Sequence, residues 1–124
     1  MSDWTPEELT EINRTEEVEV TPADANGGPL QSVVMWAVTN GNEVFVRSVR
    51  GRKARWWRRA TASARGTFTA GSVTREVAFE PVGEIQNQAV TDAYNHKYAA
   101  QADEFRLPMV SGDSLDATLK VVPV

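Results

Sequence analysis

Two apolar runs rich in β-forming residues meet at Asn40-Gly41. Ser32 to Thr39 reads Ser-Val-Val-Met-Trp-Ala-Val-Thr, and Glu43 to Val49 reads Glu-Val-Phe-Val-Arg-Ser-Val. Branched and aromatic side chains suit a pleated, half-buried surface. Asn-Gly between two such runs favours a tight turn whose twist matches that of paired strands. The pattern predicts an antiparallel hairpin, and this is the strongest local constraint in the chain because it starts a sheet.

The remaining segments extend that sheet. Glu17 to Val20 alternates as a strand does, and Asp24 to Pro29 is a loop by its turn residues. Arg65 to Thr69 and Val73 to Val82 predict a second hairpin around Ala70-Gly71-Ser72, with Val73, Val77 and Phe79 on one face. Leu115 to Val122 predicts a last strand, giving six in all. Thr5-Pro6-Glu7-Glu8 carries a capping box with proline at the first helical position, so a short helix should run from there to about Asn13, with Trp4 fastening it to the sheet. Ala54 to Ser63 and Gln88 to Gln101 also read as helices, with Pro108 closing the region after the latter. Six strands with short helices between them predict a small antiparallel barrel or curled sheet, since closure removes exposed edges. No repeat or low-complexity segment interrupts the 124 residues, which suit one domain spanning 1–124.

Charge is distributed unevenly. The net charge is −4, but Arg47 to Arg65 holds 8 of the 13 basic residues and no acid. The rest of the chain sets five bases against 17 acids. Such asymmetry points either to a local anion site or to a solvated face matched to the acidic N-terminal segment. The chain lacks cysteine, which excludes disulfides and thiolate chemistry and fits a cytoplasmic location. Its first residues, Met1-Ser2-Asp3-Trp4, do not resemble a signal peptide, and no apolar run reaches membrane-spanning length, so no membrane association is expected.

Several motifs follow one another in a distinctive order. They are Val34-Met35-Trp36-Ala37-Val38, Asn40-Gly41, Val44-Phe45-Val46-Arg47-Ser48, Gly51, Trp56 and Arg59. Later come Val77-Ala78-Phe79-Glu80-Pro81-Val82 and Asp92-Ala93-Tyr94-Asn95-His96-Lys97-Tyr98. Across nearly the whole chain this resembles a bacterial domain-of-unknown-function family whose members resemble the FMN-binding split barrels. That class includes pyridoxamine-phosphate oxidases and deazaflavin-dependent reductases. The resemblance implies a mainly β, α+β fold: a small antiparallel split β-barrel with short helices. It implies FMN or a deazaflavin as cofactor, held at a homodimer interface, and oxidoreductase activity. In that class a strand and the loop after it hold the cofactor phosphate, and the corresponding stretch here contains Arg47, Ser48, Arg50, Gly51, Arg52 and Lys53.

The chemistry of that stretch is suitable on its own terms. Arginine offers a planar fork of donors, serine a hydroxyl, and glycine a close backbone approach. Trp56 and Trp57 have faces that suit a planar ring, although at helical spacing with Ala60 they also suit core packing. Arg55, Arg58 and Arg59 share the opposite helix face. His96, the sole histidine, has no partner spacing that suggests a metal site or a catalytic triad, and Tyr94 and Tyr98 lie one turn apart, positioned to fill a single groove. A second reading stays open at this point: a non-enzymatic binder of another anionic ligand, a phosphorylated metabolite or nucleic acid, through the basic tract 47–59. The acidic balance elsewhere counts against nucleic acid.

Overall fold

The computed structural model describes residues 3–124. Helix α1 (Pro6–Arg14) begins at the capping box: the Thr5 hydroxyl accepts from the Glu8 N–H at 3.1 Å, and the Glu8 carboxylate accepts from the Thr5 N–H at 2.9 Å. Two otherwise free donors are thereby satisfied. Trp4 secures this end, as its Nε1 donates to the Val121 carbonyl at 3.0 Å and its indole meets Phe68 edge-on.

Seven antiparallel strands form one sheet: β1 (Val18–Pro22), β2 (Val33–Met35), β3 (Ala37–Asn40), β4 (Glu43–Arg47), β5 (Arg65–Ala70), β6 (Val73–Pro81) and β7 (Thr118–Pro123). Their spatial order is β2-β1-β5-β6-β7-β4-β3. The two edge strands, β2 and β3, are separated in the chain by Trp36 alone. One residue spans only about 3.5 Å, so the two edges of the sheet meet there, β2 running end to end into β3. The sheet therefore curls into a nearly closed barrel whose split falls at Trp36. The expected split barrel with short helices is what the chain adopts.

The strand expected over Ser32 to Thr39 is thus two strands, which raises the total from six to seven. Six consecutive apolar residues, Val33 to Val38, cannot alternate between an inside and an outside. Ala37 enters the barrel core with Val44, Val46, Phe68, Val77, Leu119 and Val121. Val38 instead joins Phe45 in an outer cluster beneath α3 (Glu84–Lys97), packed on Val90, Tyr94 and Tyr98. The first hairpin forms with its loop one residue later than expected. Asn40 pairs with Glu43, so Gly41 and Asn42 make the turn, and Gly41 alone has positive φ (+61°), the type II′ pattern.

Helix α2 (Arg55–Ser63) matches its expected span and follows a 3₁₀ turn over Gly51–Lys53. Helix α3 starts four residues before the expected Gln88. Its first turn exposes Ile85 (92%), so no apolar stripe marks it in the sequence. A short helix α4 (Asp103–Arg106) and 3₁₀ turns over Leu107–Met109 and Gly112–Asp116 follow, so the last strand begins at Thr118 and not at Leu115. No helix is long and apolar enough to cross a membrane among the described residues.

Candidate functional site

Strand β4 delivers Arg47 into the interior. The side chain is buried without a carboxylate partner, and its fork is occupied by protein oxygens. Nε donates to the Thr118 hydroxyl at 2.8 Å, one terminal nitrogen to the Met109 carbonyl at 3.0 Å, and the other to the Asn87 carbonyl and Oδ1. Asn87 in turn donates to the Leu115 carbonyl at 2.7 Å. Burial lowers the guanidinium pKa, and the Tyr94 ring lies beneath it at 5.5 Å. Arg47 therefore joins β4, α3, β7 and the segment before β7.

Ser48 follows, equally buried, and its hydroxyl has no hydrogen-bond partner among the described residues. Buried hydroxyls are ordinarily bonded. The chain then turns through Gly51 (φ +70°), where a Cβ would stand 2.7 Å from the Asp113 Cβ. The close approach that Gly51 permits is thus to the Gly112–Asp116 turn. Arg52 follows it there: Nε donates to the Asp116 carbonyl at 3.0 Å, and the guanidinium lies over Trp57.

A cleft of about 1000 Å³ opens at the barrel split. Of the seven residues singled out in the sequence, Arg47, Ser48, Arg50, Lys53 and Trp56 contribute to its wall, whereas Gly51 and Arg52 do not. Arg55, Arg58 and Arg59 extend the basic wall along α2. No cation from Arg47 to Arg65 forms an ion pair among the described residues. Two of the acidic N-terminal carboxylates are engaged elsewhere, Glu8 on Arg75 at 2.9 Å and Glu11 on Arg14 at 2.5 Å. Glu16 and Glu17, from the same segment, line the same cleft as the tract but form no ion pair with it among the described residues.

The opposite wall was not anticipated. It comprises β2 with Trp36, the carboxylates Glu16, Glu17 and Glu104, and Gln101, Phe105 and Pro108. Trp36 is only half-buried, contrary to the burial its apolar surroundings suggest. It stacks on Tyr98 at 4.0 Å, and its carbonyl accepts from the Tyr94 hydroxyl at 3.1 Å. The Tyr98 hydroxyl accepts from the Ala37 N–H at 3.3 Å and donates to the Glu16 carbonyl at 2.7 Å. Burial raises both phenol pKa values. Lys97 donates to the Ala37 and Ile12 carbonyls, and burial pulls its pKa down to about 8. Tyr94 and Lys97 of α3, with Tyr98 at its C-terminal cap, take up the backbone groups at the strand break. The unbroken apolar run Val33 to Val38 is the signal that could have exposed the break. His96 is exposed and lies outside the cleft, and among the described residues no three His, Cys, Asp or Glu side chains converge as a metal-binding group.

The sequence model of a family described as "Uncharacterized protein conserved in bacteria (DUF2255)" matches residues 8–121, and the chain belongs to that family. No curated protein matches it. Among solved structures it is similar to the conserved hypothetical protein Rv2991 from Mycobacterium tuberculosis, with a TM-score of 0.68 at 17% identity, covering 100% of this chain and 80% of that one. It is similar to HutZ, the heme storage protein from Vibrio cholerae (0.67, 12%, covering 99% and 92%). It is also similar to an F420-H2 dependent reductase, FDR-A (0.63, 12%, covering 86% and 93%). At these identities the likeness establishes the split-barrel fold.

Proposed function

We propose that the cleft of this DUF2255 member binds a flavin or deazaflavin, with the ligand's phosphate at Ser48, Arg50 and Lys53 and its ring between Trp36 and Trp56. The observation that carries the reading is the combination, in one cleft at the barrel split, of aromatic side chains and cations that form no ion pair among the described residues. The fold shared with an F420-H2 dependent reductase supports it. Charged arginine and lysine donors favour an ionised phosphate, and indole faces favour a planar ring. Such a cofactor supplies hydride transfer, while the protein binds, orients and shields, so the activity would be that of an oxidoreductase.

Arg47 has a different part in this reading. With its donors on Thr118, Met109 and Asn87, it shapes the floor of the cleft and leaves the ligand to Arg50 and Lys53. Val34, Val49 and Phe105 (59% exposed) present apolar surface around the opening, which a second copy of the chain would cover in a homodimer. Heme, the ligand named for HutZ, is the less favoured occupant because His96 lies outside the cleft.

The test is an absorption spectrum of the freshly purified protein, followed by titration with FMN and with a deazaflavin. Arg50→Gln with Lys53→Gln should weaken binding about tenfold without shifting the melting temperature. Absence of both chromophore and binding at micromolar protein would remove the proposal.

A further inference from the structure

We infer that residues 99–108 form a lid that closes over an occupied cleft and docks on the arginines of α2. This rests on the cleft being a ligand site, as proposed above, and adds how the ligand is enclosed.

The segment is fixed at both ends and loosely held between them. Before it, Tyr98 is buried, stacked on Trp36 and hydrogen-bonded at the strand break. After it, Met109 is buried and its carbonyl accepts from Arg47. None of residues 99–108 is buried, and only Gln101 and Arg106 are half-buried. The backbone hydrogen bonds of α4 and of the turn after it close locally, on Ala102, Asp103 and Leu107. Two side-chain hydrogen bonds tie the segment to the residues before β1 and to α3: Gln101 donates to Glu16 Oε1 at 2.8 Å, and Arg106 to Asn95 Oδ1 at 2.5 Å. Stretches with few buried contacts and local hydrogen bonds open at low cost, and lids are drawn from them.

Two observations point to what it closes on. Phe105, on this segment, is exposed at the cleft rim. Removing an aromatic side chain from water is favourable, and a planar ligand offers it a face. Closure carries Phe105 onto the ligand and leaves Val34 and Val49 at the apolar rim.

Charge supplies the second. Arg50, Lys53 and the three arginines of α2 line the cleft, as do Glu16, Glu17 and Glu104, and none of these forms an ion pair among the described residues. Arg47 apart, the cations exceed the carboxylates by two, which one phosphate monoester, at about −1.5 to −2 charges, balances. The α2 arginines therefore find their counterions in the facing wall and not in the ligand. Of the three carboxylates, Glu104 alone lies on the loose segment, so it can cross the cleft. Expulsion of water by the ligand strengthens that attraction.

The experiment is disulfide trapping, which a chain without cysteine suits. Glu104→Cys is combined in turn with Arg55→Cys, Arg58→Cys and Arg59→Cys, and with Thr74→Cys, exposed and outside the cleft, as control. Each is oxidised alone and with saturating FMN, and bridging within one chain is followed on non-reducing gels. A bridge needs Cα atoms within about 7 Å of each other. At least one α2 pair should bridge at least about tenfold faster than the control, and FMN should speed it further. On the natural chain, bound FMN should slow chymotrypsin cutting after Phe105 by at least about fivefold. Thermal melts check that the variants fold. Bridging no faster than the control in every α2 pair would overturn the lid, as would bound FMN that neither speeds bridging nor slows cutting. If an α2 pair bridges and neither FMN nor a deazaflavin binds the natural chain, the flavin reading fails and the lid stands. If FMN binds and no α2 pair outpaces the control, the flavin reading stands and the lid is removed.

Discussion

Trp36 and Tyr98 stack in parallel, their ring centroids 4.0 Å apart and their planes 5° from coincidence. Trp36 stands where the barrel splits and forms part of the cleft wall, and Tyr98 ends the helix that packs outside the barrel. The stack makes the cleft geometry depend on α3. The Tyr94 hydroxyl on the Trp36 carbonyl reinforces it.

Tyr98→Phe retains the stack and removes the hydroxyl that serves Ala37 and Glu16. A buried backbone donor at the strand break is then left unpaired. The expected loss is about 1–2 kcal/mol of folding stability, read from the shift in urea midpoint. An unchanged midpoint would show that the break is held by other contacts.

Arg47→Leu strands the Asn87, Thr118 and Met109 oxygens that the guanidinium serves. The expected destabilisation is about 3 kcal/mol or more. Arg47→Lys should recover little, because an ammonium cannot reach all the acceptors arranged around a planar fork. A variant as stable as the natural chain, with ligand binding alone lost, would assign Arg47 to the ligand after all.

Gly51→Ala places a side chain at φ +70° and against Asp113 at 2.7 Å. Strain and overlap together should cost about 1–3 kcal/mol. Because this turn presents Arg50 and Lys53, ligand affinity should fall as well. Gly41→Ala is the control: it has similar φ (+61°) and open space around it, so it should affect stability alone.

Lys97 makes stability depend on pH in a defined direction. Its pKa falls from the ordinary 10.5 to about 8 in the folded chain, through burial. Between those values the unfolded chain binds the proton and the folded chain does not, so stability rises with pH. Above about pH 10 the two buried tyrosines oppose this, because their folded pKa values are raised and ionisation favours unfolding. Denaturation from pH 8 to 10 should show a rising slope that Lys97→Met removes. A slope that survives in the variant would locate the titration elsewhere.

Much of the fold is legible in the residues. The capping box at Thr5 and Glu8, the turn at Gly41 and the alternation of β6 each depend on neighbours a few positions apart, and each forms. The break at Trp36 is signalled only by the unbroken apolar run Val33 to Val38, because the hydroxyls of Tyr94 and Tyr98 that hold it lie some 60 residues away. The first turn of α3 was hidden for the opposite reason, since an exposed Ile85 gives no periodic signal.

The basic tract divides along the same line. Its position, its charge and its lack of acids follow from sequence order alone. Which arginine is structural and which is free does not. Arg47 and Arg50 lie three residues apart in one run, yet the first is enclosed by Asn87, Met109 and Thr118 and the second stands in the cleft wall with no ion pair among the described residues. Local order determines what a segment can form, through propensity, capping and turn chemistry. Closure of the barrel decides where each charge ends, because only there do distant carbonyls compete with solvent and ligand for the same donors.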